Sequence, residues 1–506
     1  MALAAPAEAA EMSAARHAIA IDLGAESGRV VLGTLADGRF DSEIIHRFPN
    51  VPLTQGATLR WDLDALWTGI TDGIAAAAKR VPGPVGSIGI DCWGVDYVLL
   101  DHQGAPIEAP YHHRDARTQG IPEQVYRTVP EAELFARTGT RPLVFNTVFQ
   151  LAAALTADPH ILERAARLLT IPDFLHYRLC GRMANEWTNA GTTGMTVAGQ
   201  PAWDAEVLAR LGIPARLFAT PARPGTCLGL MSPALAASLG FSQPPMITLP
   251  ASHDTGSAVA ALPSRLPIPG REDAGRAFIS SGTWSLMGTL VERPITSEAC
   301  RTAQLSNEVA SDGRIRLLKN IMGLWVVQEC RREFARLGRD HTYERLTALA
   351  KEAQPGSLRL DVDDPRFFPP SAPGDSMPQR VRAWFAERGA PIADDDGLIV
   401  RRVLEGLAES YARCCASLED VTGTPIAAIQ ILGGGCNNAL LCQLTADACA
   451  RPVLAGPVEA AILGNLAVQA RGMGWIASDG DLSSVLSRSI ALTRYEPKAA
   501  RATAES

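Results

Sequence analysis

Two stretches of this sequence repeat one design, and that repetition limits the folds open to the chain. The first, "HAIAIDLGAESGRVVLGTL" (His17–Leu35), is an apolar run, a turn containing Gly24 and Gly28, and a second apolar run. The second, "AFISSGTWSLMGTLVER" (Ala277–Arg293), has the same order around a Ser/Gly turn. Apolar runs on either side of a glycine-containing turn are typical of β-hairpins. A hairpin that opens each half indicates an internal duplication, with two lobes and a cleft between them.

The regions around these hairpins predict an α/β fold. Short apolar strands alternate with amphipathic helices, and "SIGIDCWGVDYVLLD" (Ser87–Asp101) predicts a strand, a tight turn and a second strand. The apolar spacing in "HILERAARLL" (His160–Leu169) predicts a helix. The stretch Leu398–Gly423 predicts a long helix that ends at its glycine.

The length of 506 residues exceeds one ordinary hydrophobic core, so two large domains are expected. We predict a disordered tail at 1–17, a first lobe at 18–262, a second lobe at 263–494 and a second tail at 495–506. The boundary between the lobes follows from a Pro- and Arg-rich stretch at 261–276.

Composition excludes several classes of function. The net charge of −7 gives no reason to expect nucleic acid or an anionic membrane as a partner. No apolar run approaches the length of a membrane span, and the Ala-rich, acidic start does not resemble a signal peptide. The ten cysteines form no C-x-x-C pair, which argues against zinc sites and a disulfide framework. Reduced thiols in a cytoplasmic enzyme are therefore expected.

The common nucleotide-binding motifs are absent from the sequence. The four lysines offer no P-loop, no G-x-G-x-x-G opens a helix, and the protein-kinase signatures are missing. The first hairpin turn leaves two interpretations open. Asp22 and the glycines either only form the turn, or the backbone amides cradle an anion while Asp22 holds the accompanying metal.

The stretch "PASHDTGSAVA" (Pro250–Ala260) places Ser252, His253 and Asp254 side by side. Neighbouring residues of an extended segment point to opposite faces, so we do not expect a catalytic triad. Asp254 follows an apolar strand and precedes residues that can start a helix. It is either a general base for a bound hydroxyl or the N-cap of that helix.

Two further turns are suited to nucleotide binding. "ILGGGCNNALL" predicts a strand, three glycines and a helix, an arrangement that lets another molecule approach the backbone. "SSGTWS" (Ser280–Ser285) offers hydroxyls and amides in the second hairpin. Together, the two hairpins, the glycine-rich turn and the acids at strand ends are typical of an actin-like ATPase or sugar kinase.

The motifs along the chain resemble those of the FGGY carbohydrate kinases, from about Ala18 to Arg494. They are, in order, "DLGAESGR", "SIGIDCWGVDYVLLD", "HHRDART", "ASHDTGSAV", "SSGTWSLMG", "LKNIMGLWVVQE", "GGGCNNALLCQLTADAC" and "AGPVEAAILGN". The resemblance implies an α/β fold of two actin-like (ribonuclease-H-like) lobes with the active site in the cleft between them. It also implies transfer of the γ-phosphoryl group of ATP to the 1-hydroxyl of L-rhamnulose.

The resemblance also implies a role for individual residues. It makes Asp254 the general base and Asp22 the residue that faces magnesium, the cofactor that accompanies ATP. The ATP-binding residues that it implies are Ala25, Glu26, Ser27, Gly28, Arg29, Thr283, Gln328 and Gly434. The sugar-binding residues that it implies are Gly94, His253, Asp254, Thr255 and Asn320. Trp93 and Asp96 either line the same pocket or serve core packing and turn capping.

Two departures from the family pattern bear on these roles. Glu26 stands where many relatives have Ser or Thr, so we expect it to turn outward and offer only its backbone N–H. Cys92 stands where a Thr is usual, which leaves sugar contacts there open.

The alternatives for function are a kinase of another ketose, such as L-fuculose or L-xylulose, and a non-enzymatic actin-like ATP-binding module. The expected partners are small-molecule substrates, without nucleic acid or membrane, for a monomer or small homo-oligomer.

Overall fold

The structure is a computed structural model that describes residues 15–81, 83–263, 275–372 and 374–498. The described residues form two compact units. The first unit contains the residues up to 263 together with Val291–Arg316 and Ala460–Ile490, and the second contains the others. The outer parts of both predicted tails, and residues 264–274 of the predicted boundary stretch, lie outside the described residues.

The strands lie in both units and are numbered along the chain. They are β1 Arg16–Leu23, β2 Ser27–Ala36, β3 Arg39–Pro49, β4 Leu53–Gln55, β5 Thr58–Arg60, β6 Val85–Cys92, β7 Tyr97–Leu100, β8 Arg167–Thr170, β9 Asn185–Glu186, β10 Pro221–Ala222, β11 Cys227–Leu230, β12 Met246–Thr248, β13 Gly275–Ser281, β14 Trp284–Val291, β15 Ser306–Val309, β16 Ile315–Met322, β17 Ile426–Leu432, β18 Val453–Ala455 and β19 Thr493–Tyr495.

The α-helices are numbered in the same way. They are α1 Leu63–Arg80, α2 Ile121–Tyr126, α3 Glu131–Thr138, α4 Thr147–Ala157, α5 Ile161–Arg164, α6 Ile171–Cys180, α7 Trp187–Ala190, α8 Ala205–Arg210, α9 Pro233–Ser238, α10 Asp254–Ala260, α11 Glu298–Thr302, α12 Trp325–Arg336, α13 Tyr343–Glu352, α14 Met377–Ala386, α15 Asp396–Thr422, α16 Ala439–Cys449, α17 Ala460–Gly472 and α18 Asp479–Ser489. Within the described ranges, no helix has both the length and the apolar character needed to cross a membrane.

The first hairpin is confirmed, and it lies inside the main sheet of the first unit. That sheet has the order β11-β12-β6-β1-β2-β3. Strands β1 and β2 are antiparallel, with Asp22 opposite Arg29, and β1 is parallel to β6, with Asp22 opposite Asp91. The turn at Gly24 therefore returns the chain within one sheet and leaves Asp22 near a strand end.

The second unit repeats this topology. Six strands of its sheet follow the order β16-β14-β13-β17-β18-β19. Strand β13 is antiparallel to β14 and parallel to β17, as β1 is to β2 and β6. The same succession of pairings in both sheets agrees with the internal duplication inferred from the hairpins. The predicted two-lobe α/β organisation is confirmed.

Helices cover both faces of the first sheet. Side chains of β1 alternate between the two faces because successive residues of a strand point in opposite directions. Ile19, Ile21 and Leu23 are buried in one apolar cluster with residues of α1 and α6. Ala18 and Ala20 are buried in another with residues of α17 and α18. The buried apolar runs of β1 therefore form the centre of a three-layer arrangement.

One helix prediction was wrong. Helix α5 covers only Ile161–Arg164, and the remainder of the predicted helix forms β8, which pairs antiparallel with β7. Leu168 and Leu169 are buried in that strand. Pairing with a partner distant in sequence outweighed the helical spacing of the apolar residues.

The long helix before Gly423 is confirmed as α15, with Gly423 in the left-handed conformation at its end.

Candidate active site

The turn between β1 and β2 is fixed by Asn50. The backbone N–H of Gly24 donates to the carbonyl of Ser27 at 2.9 Å, and the side-chain amide of Asn50 donates to the carbonyl of Gly24 at 2.9 Å. The backbone N–H of Asn50 donates to the carbonyl of Glu26, also at 2.9 Å. Ala25 is partly buried, whereas Glu26 and Ser27 are exposed. The outward position of Glu26 agrees with the expectation that its acid group turns away.

Packing explains part of this turn. A Cβ atom at Gly28 would lie 2.3 Å from the ring of Phe48, so the glycine makes room for that side chain. The guanidinium of Arg29 donates to the carboxylate of Asp22 across the hairpin. Arg29, which was predicted to contact phosphate, is in this structure a partner of the predicted metal ligand.

Asp91 is a second acid beside Asp22, and sequence reasoning missed it. It is fully buried opposite Asp22 on β6, and its Oδ2 accepts a hydrogen bond of 2.6 Å from the side-chain amide of Asn465. Its Oδ1 is buried and has no hydrogen-bond partner among the described residues. Burial raises the pKa of Asp91, and the nearby Asp22 and Asp254 raise it further. The signal available in the sequence was that both strands carry an Ile-Asp pair just before their last residue.

The segment Ser252–Asp254 forms no triad, as predicted, because the Ser252 hydroxyl donates to Glu186 at 2.7 Å. His253 and Asp254 nevertheless approach each other, with Nε2 of His253 3.4 Å from Oδ1 of Asp254. They can do so because Asp254 is the first residue of α10 and no longer part of an extended segment. The N-cap is His253, so the alternative that Asp254 caps the helix was wrong.

The two oxygens of Asp254 differ in their surroundings. Oδ1 faces His253 and also accepts a hydrogen bond of 3.1 Å from the hydroxyl of Thr255. Within the described parts of the chain, no hydrogen bond reaches Oδ2, and the Asp254 side chain is 36% exposed. A carboxylate with one engaged and one accessible oxygen can accept a proton from a bound hydroxyl group.

Glu186 holds the segment Ser252–Asp254 in place through hydrogen bonds to Ser252, and sequence reasoning missed it. Its buried carboxylate accepts hydrogen bonds from the backbone N–H and hydroxyl of Ser252 at 3.0 and 2.7 Å. It also accepts the backbone N–H groups of Thr188 and Asn189 at 2.9 and 3.1 Å. Burial raises the pKa of Glu186, and these donors act against the rise.

The segment around Gly94 lies beside Ser252. The backbone N–H of Cys92 donates to the carbonyl of Ser252 at 2.9 Å, and the side-chain amide of Asn189 lies 3.3 Å from the carbonyls of both Trp93 and Ser252. A Cβ atom at Gly94 would lie 2.8 Å from the hydroxyl oxygen of Thr192. The structure thus brings together Gly94, His253, Asp254 and Thr255, four of the five residues assigned to the sugar.

Asp96 orients aromatic rings in this region. Its carboxylate accepts hydrogen bonds from the indoles of Trp61 and Trp93 at 2.7 and 2.9 Å, and from His113 and Gln150 at 2.9 Å each. Burial would raise the pKa of Asp96, but His113 and the other donors hold it below its ordinary value. Asp96 is only 1% exposed, so its carboxylate orients the two tryptophan rings through hydrogen bonds and is not itself accessible to a ligand.

Val95 adds backbone strain at this site. Its φ of 69° lies in the left-handed region, which is a rare conformation for a β-branched residue. The Thr192 hydroxyl accepts its N–H at 3.0 Å, and its carbonyl accepts the Thr147 hydroxyl at 2.6 Å. Such strain persists where surrounding contacts hold it, and it is frequent at functional sites.

In the second unit, the residues assigned to ATP surround the turn between β13 and β14. The N–H of Trp325, at the start of α12, donates to the carbonyl of Thr283 at 3.1 Å, so the helix that carries Gln328 begins on this turn. Oε1 of Gln328 is buried without a hydrogen-bond partner in the described part of the chain.

The triple-glycine turn meets the same hairpin. A Cβ atom at Gly435 would lie 2.0 Å from the hydroxyl oxygen of Ser281, whereas one at Gly434 would meet nothing within 4 Å. Gly435 is therefore needed for packing, and Gly434 faces open space. Asn320, the fifth residue assigned to the sugar, lies on β16 within the second unit.

The duplicated sheets and the accessible carboxylate near a strand end define a two-unit α/β protein with a candidate general base, and the family matches identify its class as that of the carbohydrate phosphotransferases. Residues 17–261 match the N-terminal domain of the FGGY family of carbohydrate kinases, and residues 277–473 match its C-terminal domain. The chain belongs to the FGGY family of carbohydrate kinases. It is an enzyme of a family that takes ATP as co-substrate and a sugar as acceptor.

Several curated proteins and solved structures are similar to this chain. The rhamnulokinase of Pectobacterium carotovorum subsp. carotovorum (strain PC1) is 39% identical over 493 residues, which are 96% of this chain and 94% of that protein. The rhamnulokinase of Bacteroides thetaiotaomicron is 36% identical over 479 residues, 95% of each protein. A xylulose kinase from Lactobacillus acidophilus superposes with a TM-score of 0.77 at 16% identity, over 96% of this chain and 94% of that one. The glycerol kinase of Plasmodium falciparum gives 0.72 at 14%, with the same coverage, and both likenesses support the fold.

Proposed function

We propose that this enzyme phosphorylates L-rhamnulose at its 1-hydroxyl, using ATP and releasing L-rhamnulose 1-phosphate and ADP. The observation that carries this proposal is the 39% identity to a rhamnulokinase over 96% of the chain. The matched length, 96% of this chain, spans both family domains. The substrate class of the relative therefore becomes the first hypothesis for this chain.

In the proposed reaction, Asp254 is the general base. Its accessible Oδ2 takes the proton of the 1-hydroxyl while that oxygen forms a bond to the γ-phosphorus. The bond between the γ-phosphorus and the bridging oxygen of ADP breaks, and ADP leaves with the electron pair. Phosphoryl transfer depends mainly on positioning and charge stabilisation, so one base near the acceptor hydroxyl is sufficient.

We assign the sugar and the base to the region 18–262 and the nucleotide to the region 263–494. Gly94, His253 and Thr255 adjoin Asp254 in the first unit and are assigned to the sugar, with Asn320 as the contribution of the second region. The network of Glu186 and Asn189 that joins these segments supports the assignment.

The ATP assignment rests on three residues of the second region and on the first hairpin turn. Within the described residues, Gln328 has a buried oxygen without a hydrogen-bond partner, Gly434 faces open space, and Thr283 lies in the turn at which α12 begins. The turn at 25–29 is assigned to the phosphates through its backbone amides, because the acid group of the exposed Glu26 would repel them.

We propose Mg²⁺ as the cofactor, with Asp22 facing it. Within the described residues, no group of three or more His, Cys, Asp or Glu side chains could hold a metal ion by itself. Magnesium is usually held by one or two carboxylates together with phosphates and water, so one carboxylate of this chain is enough for the proposed site. Asp22 is a hard oxygen donor at a strand end, although Arg29 binds it in this structure and would have to share it. The metal would neutralise charge on the phosphates when bound.

We also propose that the enzyme acts in the cytoplasm as a monomer or small homo-oligomer on small-molecule substrates, without nucleic acid or membrane partners. All ten cysteines are free thiols, as expected for a reducing compartment.

The proposal is tested by coupled detection of ADP with ATP, Mg²⁺ and a panel of L-rhamnulose, L-fuculose, L-xylulose, L-ribulose and glycerol. We expect the highest kcat/KM with L-rhamnulose, and a loss of turnover of about 100-fold or more in Asp254→Asn. A preference for another ketose would retain the kinase chemistry and replace the substrate. ATP binding without turnover on any sugar would favour a non-enzymatic ATP-binding module.

A further inference from the structure

A buried triangle of three side chains lies on the side of His253 that faces away from Asp254. Nδ1 of His253 is 3.3 Å from Nη2 of Arg316 and 3.3 Å from Oε2 of Glu308. The same Nη2 and Oε2 atoms are 3.2 Å apart. All three residues belong to the first unit, and Arg316 is fully buried. None of the roles assigned above uses Glu308 or Arg316.

Each corner of the triangle has a fixed hydrogen-bonding character. A guanidinium only donates, and an ionised carboxylate only accepts. The charge of Glu308 is maintained despite its burial, because Arg316 and then His253 lower its pKa. Nδ1 of His253 therefore has a donor beside it when it carries no proton, and an acceptor beside it when it does.

This arrangement favours particular protonation forms of His253. The neutral ring with its proton on Nε2 accepts from Arg316 through Nδ1 and places the protonated Nε2 3.4 Å from Oδ1 of Asp254. The charged ring also places a protonated Nδ1 3.3 Å from Oε2 of Glu308, an oxygen without another hydrogen bond in the described part of the chain. The third form, with a proton on Nδ1 only, would place the lone pair of Nε2 3.4 Å from a carboxylate oxygen. That form gains an Nδ1–H beside Glu308, but it brings two acceptors together at Asp254 and leaves the nearest Arg316 N–H facing a protonated Nδ1, so two of the three contacts oppose it.

Other groups near the ring do not alter this result. The backbone N–H of His253 donates to the hydroxyl of Thr188 at 3.2 Å, which fixes the main chain and leaves both ring nitrogens to the partners already named. Arg316 is itself held by a hydrogen bond of 3.1 Å from its Nε to the carbonyl of Val309. The guanidinium therefore has little freedom to leave Nδ1.

We propose that Arg316 is a positioning residue, held beside Nδ1 by its ion pair with Glu308, that keeps Nε2 of His253 as the ring nitrogen that donates toward Oδ1 of Asp254. This inference rests on the proposed function of Asp254 as the base. With Oδ1 engaged, the carboxylate is oriented so that Oδ2 remains available to the acceptor hydroxyl. Arg316 and Glu308 thus act on the reaction only through His253.

The direct test is the protonation form of His253 in the full-length enzyme. Protein labelled with ¹⁵N-histidine is examined by long-range ¹H–¹⁵N NMR across a pH titration, and the His253 signals are assigned by their loss in His253→Gln. We expect the neutral form to carry its proton on Nε2. A neutral form with its proton on Nδ1 and a bare Nε2 would overturn the proposal. The NMR measurement needs no substrate, so its result does not depend on which sugar the enzyme phosphorylates.

Variants of Arg316 connect this form to catalysis. Arg316→Met removes the donor and should move the proton to Nδ1, with kcat lowered about 10- to 100-fold and the KM for sugar changed much less. Arg316→Lys keeps a donor and should restore most of kcat and the wild-type NMR form. If Arg316→Met does not fold, the Lys variant and the wild-type titration still decide the question.

Asp204→Asn is the matched control because it breaks another ion pair of the first unit, in which Arg137 contacts both oxygens of Asp204 at 2.9 Å. We expect it to lower Tm without changing kcat or the His253 signals. An equal loss of kcat in this control and in Arg316→Met would contradict the proposal, because it would show that Arg316 only stabilises the fold. Absence of turnover in the wild type, together with the expected NMR form, would contradict the proposed function and leave the protonation form established.

Discussion

Glu186→Gln should weaken both the fold and the site, because Glu186 is a buried carboxylate that accepts only from protein donors. Oε2 accepts from the Asn189 N–H, the Thr188 hydroxyl and both polar groups of Ser252, and Oε1 accepts from the backbone N–H of Thr188. In the better of its two orientations, the glutamine oxygen would take the place of Oε2. Its amide nitrogen would then face the N–H of Thr188, and two donors would oppose each other.

The magnitude follows from these contacts. One buried N–H that loses its acceptor costs about 1–3 kcal/mol. The bonds at the other oxygen weaken as they change from charged to neutral, whereas removal of a buried charge offsets part of that loss. We therefore expect Glu186→Gln to lower the free energy of unfolding by roughly 2–3 kcal/mol. We also expect a lower kcat, because the segment that precedes Asp254 loses its support.

Urea unfolding followed by fluorescence, together with ADP release under saturating substrates, measures both effects. The matched control is Glu206→Gln, an acid of the same unit that is 54% exposed and pairs with Arg137 at 2.7 Å. An exposed ion pair contributes about 0–1 kcal/mol, so the control should remain close to wild type in both assays. If Glu186→Gln were as stable and as active as this control, the reasoning from its hydrogen bonds would be refuted.

Three further predictions follow from single contacts. Burial raises the pKa of Asp173 to about 7, so the folded state holds a proton that the unfolded state releases near its ordinary value of 3.8. Stability should therefore fall by a few kcal/mol as the pH rises from about 4 to 7, and Asp173→Asn should remove that part of the dependence in urea titrations at several pH values. Gly464→Ala would place a Cβ atom 1.7 Å from the carbonyl oxygen of Ser257, so we expect a loss of about 1–3 kcal/mol in the same assay. Asp22→Asn should raise the Mg²⁺ concentration needed for half-maximal ADP release, and an unchanged value would contradict its assignment to the metal.

The parts of this structure that could be predicted from sequence are those with local signals. The hairpin at Gly24 follows from two apolar runs and a turn, and the end of α15 at Gly423 follows from a residue that tolerates positive φ. Asp254 was found because an acid after an apolar strand and before small residues stands out in the sequence. Each of these signals lies within one continuous stretch of the sequence.

The remainder of the site depends on contacts between residues distant in sequence. Glu186 is 66 residues from Ser252, and Arg316 is 63 residues from His253. Nothing near either residue in the sequence indicates its partner. The same holds for β8, whose apolar spacing favours a helix until its pairing with β7 is known.

The structure also distinguishes among the three acids near the strand ends of the first unit. Asp22 is bound by Arg29, and Asp91 is fully buried with a raised pKa. Asp254 has an oxygen without a hydrogen bond in the described part of the chain, on a side chain that is 36% exposed. A base must meet its substrate as well as hold a proton, and the buried free oxygen of Asp91 fails the first requirement. Burial and hydrogen-bond partners therefore favour Asp254 as the base. The sequence motif favours the same residue, and the two arguments are independent.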